Sequence, residues 1–68
     1  YQLIPAHVAA IVRALLDKYS GVRTAAAFAL GQIGSDDQLP SLSAALKAET
    51  DLSARSAQSS AFRRILSK

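Results

Sequence analysis

The sequence predicts an all-α fold of two stacked antiparallel helix pairs, and two observations carry this prediction. Apolar residues recur at the three- and four-residue spacing of a helix, and no segment keeps the two-residue alternation of a strand. The pattern also occurs twice, because residues 22–33 (VRTAAAFALGQI) align with residues 54–65 (ARSAQSSAFRRI) at an offset of 32. We therefore expect a single domain over residues 1–68, with one repeat at about 5–34 and a second at about 35–66.

Each repeat contains two amphipathic helical segments separated by short polar turns. The residues expected to face the core are Val8, Ile11, Val12, Leu15 and Leu16 in the first helix, Val22, Ala25, Ala26, Ala29, Leu30 and Ile33 in the second, Leu39, Leu42, Ala45 and Leu46 in the third, and Ala54, Ala57, Ala61, Phe62 and Ile65 in the fourth. Pro5 suits the first turn of the first helix. Gly34 is expected to end the second helix with a positive φ, and Ser53 to cap the fourth.

Composition excludes several ways of stabilising so short a chain. No cysteine is present, so no disulfide can form, and His7 alone cannot hold a structural zinc ion. A domain of this size buries only about 60% of the surface that its unfolded chain exposes. We therefore expect a chain of two repeats either to self-associate or to belong to a larger solenoid. Its start at Tyr1 instead of Met is interpreted in the same way, as a piece of a longer chain.

The stretch VRTAAAFALGQIG, followed by a polar turn and LPSLSAALKAE, resembles the short HEAT-like repeat of the phycobilisome-lyase type. The resemblance implies a right-handed solenoid fragment, an α-α superhelix in which the second helix of each pair lines the concave face. It also implies that Asp51 and Arg55 form a structural pair across the second inter-helix turn. Repeats of this kind occur in bilin lyase subunits and in protein-interaction scaffolds.

The candidate partner-binding residues lie on the second and fourth helices, and they are Phe28, Gln32, Ser60, Arg63 and Arg64. Phe28 falls outside the expected apolar stripe, so it either anchors a partner or packs within the molecule. The two arginines end the fourth helix, where cations favour the helix dipole, and they can also contact an acidic ligand.

These patterns favour a non-enzymatic protein-interaction or assembly module that presents its concave helical face to a protein partner. No hydrolase or phosphate-loop motif is present, and we expect no cofactor and no metal. One alternative is a part of a bilin lyase or other chromophore-handling protein. Another is weak nucleic-acid binding through the basic helix end formed with Lys68, which we expect less because no aromatic residue interleaves the cations. Without a signal segment, a long apolar stretch or cysteine, we expect no membrane insertion and favour the cytoplasm.

Overall fold

The computed structural model describes residues 6–67 and contains four α-helices. They are α1 (Ala6–Ala14), α2 (Ser20–Ile33), α3 (Leu39–Ala48) and α4 (Leu52–Leu66), with a short 3-10 turn at Asp36–Gln38 before α3. Helices α1 and α2 form one pair and α3 and α4 the other, while α2 and α4 make the most extensive contact. The all-α fold class is therefore confirmed. The expectations for Pro5, for Lys68 and for the side chain of His7 lie outside the described residues.

The turn between α3 and α4 differs from the expected capping arrangement. Helix α4 begins directly after Asp51, whose carboxylate accepts a hydrogen bond of 2.9 Å from the backbone N–H of Ala54. The expectation that Ser53 caps this helix is wrong, because Ser53 already lies in its first turn. Asp51 occupies the N-cap position, where a carboxylate satisfies a free N–H and favours the positive end of the helix dipole.

Gly34 ends α2 for a reason other than the expected one. Its φ is −74°, so it does not adopt the left-handed conformation that glycine favours. A Cβ atom at this position would lie 2.6 Å from the carbonyl oxygen of Leu30 and 3.1 Å from Cδ1 of Ile65. Glycine is therefore required chiefly because a Cβ would meet the carbonyl oxygen of Leu30 in the last turn of α2 itself, and the side chain of Ile65 from α4 adds a second, less severe contact.

The core is one cluster shared by all four helices, with Leu30 and Leu42 fully buried at its centre. The buried residues of the cluster are Val8, Leu15, Ala26, Ala27, Leu30, Leu42, Ala45, Ala57, Ala61 and Ile65. Four expected core residues are instead exposed to solvent: Leu16, Val22, Ala25 and Ile33. Leu16 lies beyond the end of α1, in the turn that leads to α2.

Helix α2 is rotated about its own axis relative to the orientation expected from the sequence, and this rotation exposes some of the residues expected in the core. Its buried face consists of Ala26, Ala27, Leu30 and Gly31. A Cβ atom on Gly31 would lie 3.2 Å from Cα of Ala61, so the two helices approach almost to backbone contact. Small side chains permit this approach, and the bulkier Val22 and Ile33 then lie on the outside.

Alanine substitutions at two glycines of α2 test this close approach. No atom lies within 4 Å of a Cβ built at Gly21, whereas a Cβ at Gly31 meets the backbone of Ala61. We expect Gly31→Ala to be less stable than Gly21→Ala by about 1–3 kcal/mol, because only the Cβ at position 31 overpacks the contact with α4. Urea unfolding followed by circular dichroism measures the difference. Equal stabilities would show that α2 and α4 are farther apart than described here.

Candidate functional site

An ion pair between the partly buried Arg23 and the buried Glu49 links the two helix pairs. The guanidinium of Arg23 on α2 donates from Nε to Oε1 of Glu49 at 2.8 Å and from Nη2 to Oε2 at 2.9 Å. Its third group, Nη1, donates to the backbone carbonyl of Asp17 at 2.8 Å. One arginine thus holds the turn of the first pair and the turn of the second pair together.

The Glu49 carboxylate is satisfied on both oxygens. Besides Arg23, it accepts from Nε2 of Gln58 at 2.9 Å and from the backbone N–H of Asp51 at 3.0 Å. Its side chain is only 2% exposed. The hydrogen bonds from Arg23 lower the pKa of Glu49 to about 2, against the opposing effect of burial. The same contact raises the pKa of Arg23, so the pair is ionised over the whole physiological range.

Asp51 and Arg55 each form hydrogen bonds at the second inter-helix turn, but with different partners. Asp51 caps α4, as described above, and Nη1 of Arg55 donates to the carbonyls of Leu46 at 3.1 Å and Glu49 at 3.5 Å. The direct pair that their four-residue spacing suggested is absent from the described contacts. The reason is geometric, because the Asp51 carboxylate is turned into the first turn of its own helix.

Four of the five predicted partner-binding residues lie along one groove between α2 and α4. Phe28 and Ser60 lie where its two sections meet and line both of them, while Gln32 and Arg64 line one end together with Ala27, Gly31 and Ala61. The other end is lined by Thr24, Leu52, Ser53, Ser56 and Ala57. Arg63 is exposed but does not line the groove, because it follows a different face of α4, about 100° around the helix axis from Arg64.

The groove combines an apolar floor, an aromatic wall and one cation. Its floor contains alanine and glycine, and the side chains of Phe28 and Leu52 remain 59% and 83% exposed on its walls. Arg64 supplies the positive charge at one end, and no carboxylate is present among the described residues that line it. Such a surface can bind an apolar side chain and an acidic group together.

The described part of the chain contains no candidate metal site. No group of three His, Asp or Glu side chains lies close enough together to hold a metal ion there. None of the described helices is long and apolar enough to cross a membrane.

A family model described as HEAT repeats matches residues 3–62, which is most of the chain. The chain belongs to the HEAT-repeat family. No curated protein and no solved structure matches it. HEAT repeats are commonly protein-interaction or scaffold modules, and the family is typically non-enzymatic. The match does not distinguish the phycobilisome-lyase type from other HEAT repeats.

Glu49, the most buried acidic residue described, was not among the site residues predicted from the sequence. In the sequence, Glu49 is not distinguished from the other acidic residues at helix ends and turns. A signal was nevertheless present, because each repeat places an acidic residue six positions before an arginine: Asp17 before Arg23, and Glu49 before Arg55. A recurring acid and base at fixed spacing is a stronger sign of a structural link than either residue alone.

Glu49→Gln tests how much the ion pair between Arg23 and Glu49 contributes to the stability of the fold. Because the folded-state pKa of Glu49 lies near 2 and its ordinary value is 4.5, the ionised form stabilises the fold above pH 4.5, and this stability is lost as the pH falls toward 2. At pH 7 we expect Glu49→Gln to lower the free energy of unfolding by about 2 kcal/mol, the cost of a lost charge-assisted hydrogen-bond set.

The readout is urea unfolding at a series of pH values from 7 to 2. Glu49→Gln should lose the fall in stability that wild type shows below pH 4.5, whereas the exposed Asp37→Asn should keep it. A Glu49→Gln chain with the same acid dependence as wild type would mean that the pair is not the pH-sensitive element.

Proposed function

We propose that this chain is a non-enzymatic protein-binding module that holds a segment of its partner in the groove between α2 and α4. The observation that carries the proposal is Phe28, which stands 59% exposed beside Arg64 and above a floor of alanine and glycine. An aromatic side chain and an arginine that flank an apolar surface are the residue types that dominate binding energy at protein interfaces.

The chemistry of the groove favours a partner segment that carries both apolar and acidic side chains. An apolar side chain can insert between Phe28 and Leu52, where it would cover two exposed hydrophobic surfaces. A carboxylate near it can pair with Arg64, and the net charge of +3 favours the approach of an acidic segment. Arg63 adds to the positive electrostatic potential near the groove from outside it.

The shape of the groove favours a peptide segment over a compact small molecule. Two adjoining sections of about 440 and 210 Å³ share Phe28 and Ser60 and run along the helices. Hydroxyl groups of serine and threonine border the wider section and can hydrogen-bond a peptide backbone. Because both walls belong to helices, the groove is formed before binding, which reduces the entropy lost on association.

The test is selection of binders from a displayed library of random peptides, followed by calorimetry with the wild-type chain. We expect the selected peptides to be enriched in acidic and large apolar residues. Phe28→Ala should weaken their binding about 30-fold or more, since truncation of a central aromatic anchor costs about 2 kcal/mol.

Matched variants show whether binding takes place in the groove or elsewhere on the surface. Leu66 has the same exposed fraction as Phe28, 59%, but does not line the groove, so Leu66→Ala should bind like wild type. Arg64→Glu should weaken binding, whereas Arg13→Glu, an equal change of charge on α1, should not. If no peptide is selected, or if Phe28→Ala and Leu66→Ala bind equally well, the groove is not the binding site.

Chromophore handling is the alternative that follows from the phycobilisome-lyase resemblance of residues 22–34. It rests on the sequence likeness alone. Titration of the chain with a free bilin, followed by visible absorbance, tests it, and an unchanged spectrum would remove it.

A further inference from the structure

The two helices that form the groove run parallel to each other. At one end of the groove, Thr24 of α2 lines it together with Leu52 and Ser53, which begin α4. Toward the other end, a Cβ at Gly31 of α2 would lie 3.3 Å from Cβ of Ala61 on α4. Residue numbers therefore rise together along both helices. We call the first end the N-terminal end of the groove and the second its C-terminal end.

The groove carries its charge at the C-terminal end alone. Cδ of Arg64 lies 3.5 Å from a Cβ built at Gly31, so the arginine side chain crosses the contact between α4 and α2. Its guanidinium forms no ion pair among the described residues. None of the described residues that line the N-terminal end is charged. A carboxylate of a bound segment is therefore attracted to the C-terminal end.

Hydroxyl groups are concentrated at the opposite, N-terminal end. Ser53 and Ser56 of α4 line it with Thr24 of α2, whereas Ser60 lies where the two sections of the groove meet. Oγ1 of Thr24 already donates to the carbonyl of Ser20 at 2.9 Å. Ser53 and Ser56 are exposed, and their hydroxyls can donate to carbonyl oxygens of a bound segment.

Between the two ends, the floor of the groove offers few partners for an extended chain. It consists of Ala27, Gly31, Ala57 and Ala61, whose side chains carry no polar group. An extended segment presents a free N–H and C=O at nearly every residue, whereas a helix pairs its own backbone groups except in its first and last turns. An α-helix therefore suits this floor, and the small side chains let it pack closely between α2 and α4.

The two ends of the groove favour one direction of such a helix. The last four carbonyls of a helix lack partners within it, and the hydroxyls of Ser53 and Ser56 lie at the N-terminal end of the groove. Acidic side chains are most favourable in the first turn of a helix, and Arg64 lies at the other end. A helix that runs antiparallel to α2 and α4 satisfies both conditions.

Distances along α4 set the spacing of the side chains that the groove can bind. Arg64 follows Ser56 by eight residues, or about 12 Å of helix rise. Ser56 lies in the section that Phe28 and Leu52 flank. A bound helix also rises about 12 Å over eight residues, and its residues i, i+4 and i+7 or i+8 share one face. An acid at i thus reaches the arginine when an apolar residue at i+7 or i+8 lies between Phe28 and Leu52.

Resting on the function proposed for this groove, we propose that its ligand is an amphipathic α-helix of the partner protein that binds antiparallel to α2 and α4. An acidic residue in the first turn of that helix pairs with Arg64. A large apolar residue two turns later inserts between Phe28 and Leu52, and the last carbonyls of the helix accept from Ser53 and Ser56.

The probes are three synthetic peptides of about 16 residues, long enough to span the groove as helices. The forward peptide is rich in alanine and glutamine, with Glu in its first turn at position i and Leu at i+4 and i+7. The reversed peptide carries the same residues in the opposite order. The proline peptide is the forward peptide with Pro at i+5, on the face opposite the leucines, where it breaks the helix.

Binding of fluorescently labelled peptides to the full chain is measured by anisotropy. We expect the forward peptide to bind at least tenfold more tightly than the reversed and proline peptides. Exchange of its Glu for Gln should weaken binding about tenfold, through loss of a charge-assisted hydrogen bond. Exchange of the Glu for Lys should weaken binding to wild type, and Arg64→Glu should restore it. Arg63→Glu, the matched change outside the groove, should not restore it.

A nitroxide label on either end of the forward peptide reports the direction directly. With the label on the peptide N-terminus, we expect the amide signals of Gln32 and Arg64 to weaken in NMR spectra of the chain. With the label on the peptide C-terminus, those of Leu52 and Ser53 should weaken instead. The opposite pattern would show a parallel helix and would overturn the proposal.

The helical ligand and the groove itself can fail separately. A forward peptide that binds no better than the proline or reversed peptide, or does not bind at all, overturns the helical ligand. If library-selected peptides still depend on Phe28 in that case, the groove remains the binding site and its ligand is not this helix. If neither the forward nor the selected peptides lose affinity with Phe28→Ala, both the helical ligand and the proposed function are wrong.

Discussion

The ion pair between Arg23 and Glu49 fixes how the two helix pairs stack. Burial of the Glu49 charge is costly, and the cost is offset only when its oxygens are paired and hydrogen-bonded. Here both carboxylate oxygens are occupied, with Gln58 and the Asp51 backbone completing the set. A one-residue slip of either helix pair would leave these groups unpaired in the interior. The pair therefore favours a single register of the two helix pairs.

With the register fixed, the contact between α2 and α4 depends on small side chains. Gly31 faces Ala61 almost at backbone distance, and Gly34 faces Ile65. Helices this close leave little room for large residues between them, so Phe28 remains on the rim of the contact. The groove proposed to bind a partner is thus a consequence of the packing that the glycines permit.

Periodicity was sufficient to predict four helices and their pairing, but it could not give the rotation of α2. Eight of the twelve residues from Val22 to Ile33 are apolar, and six of them are consecutive, so two different faces fit a helical period. The close approach of α4 selects the face with Ala27 and Gly31, and this is a tertiary effect. The sequence offered Phe28 as a candidate because it lies outside the expected apolar stripe, and Arg64 because it belongs to the basic end of the fourth helix; their partner-binding role stays a prediction. Glu49 was not predicted, since a buried acid in a turn looks in sequence like a solvated one.

Glu49 and Asp17 also differ in the hydrogen bonds that their own helix pair donates to them. Glu49 receives a hydrogen bond from Gln58, whose remaining carbonyl oxygen has no hydrogen-bond partner among the described residues. At the equivalent position of the first pair stands Ala26, which has no polar group to offer Asp17. A buried amide oxygen without a hydrogen-bond partner is unfavourable. The hydrogen bond from Gln58 to Glu49 offsets this unfavourable term. Asp17 has no such side-chain donor among the described residues, and its described hydrogen-bond donor is the backbone N–H of Tyr19 at 3.0 Å.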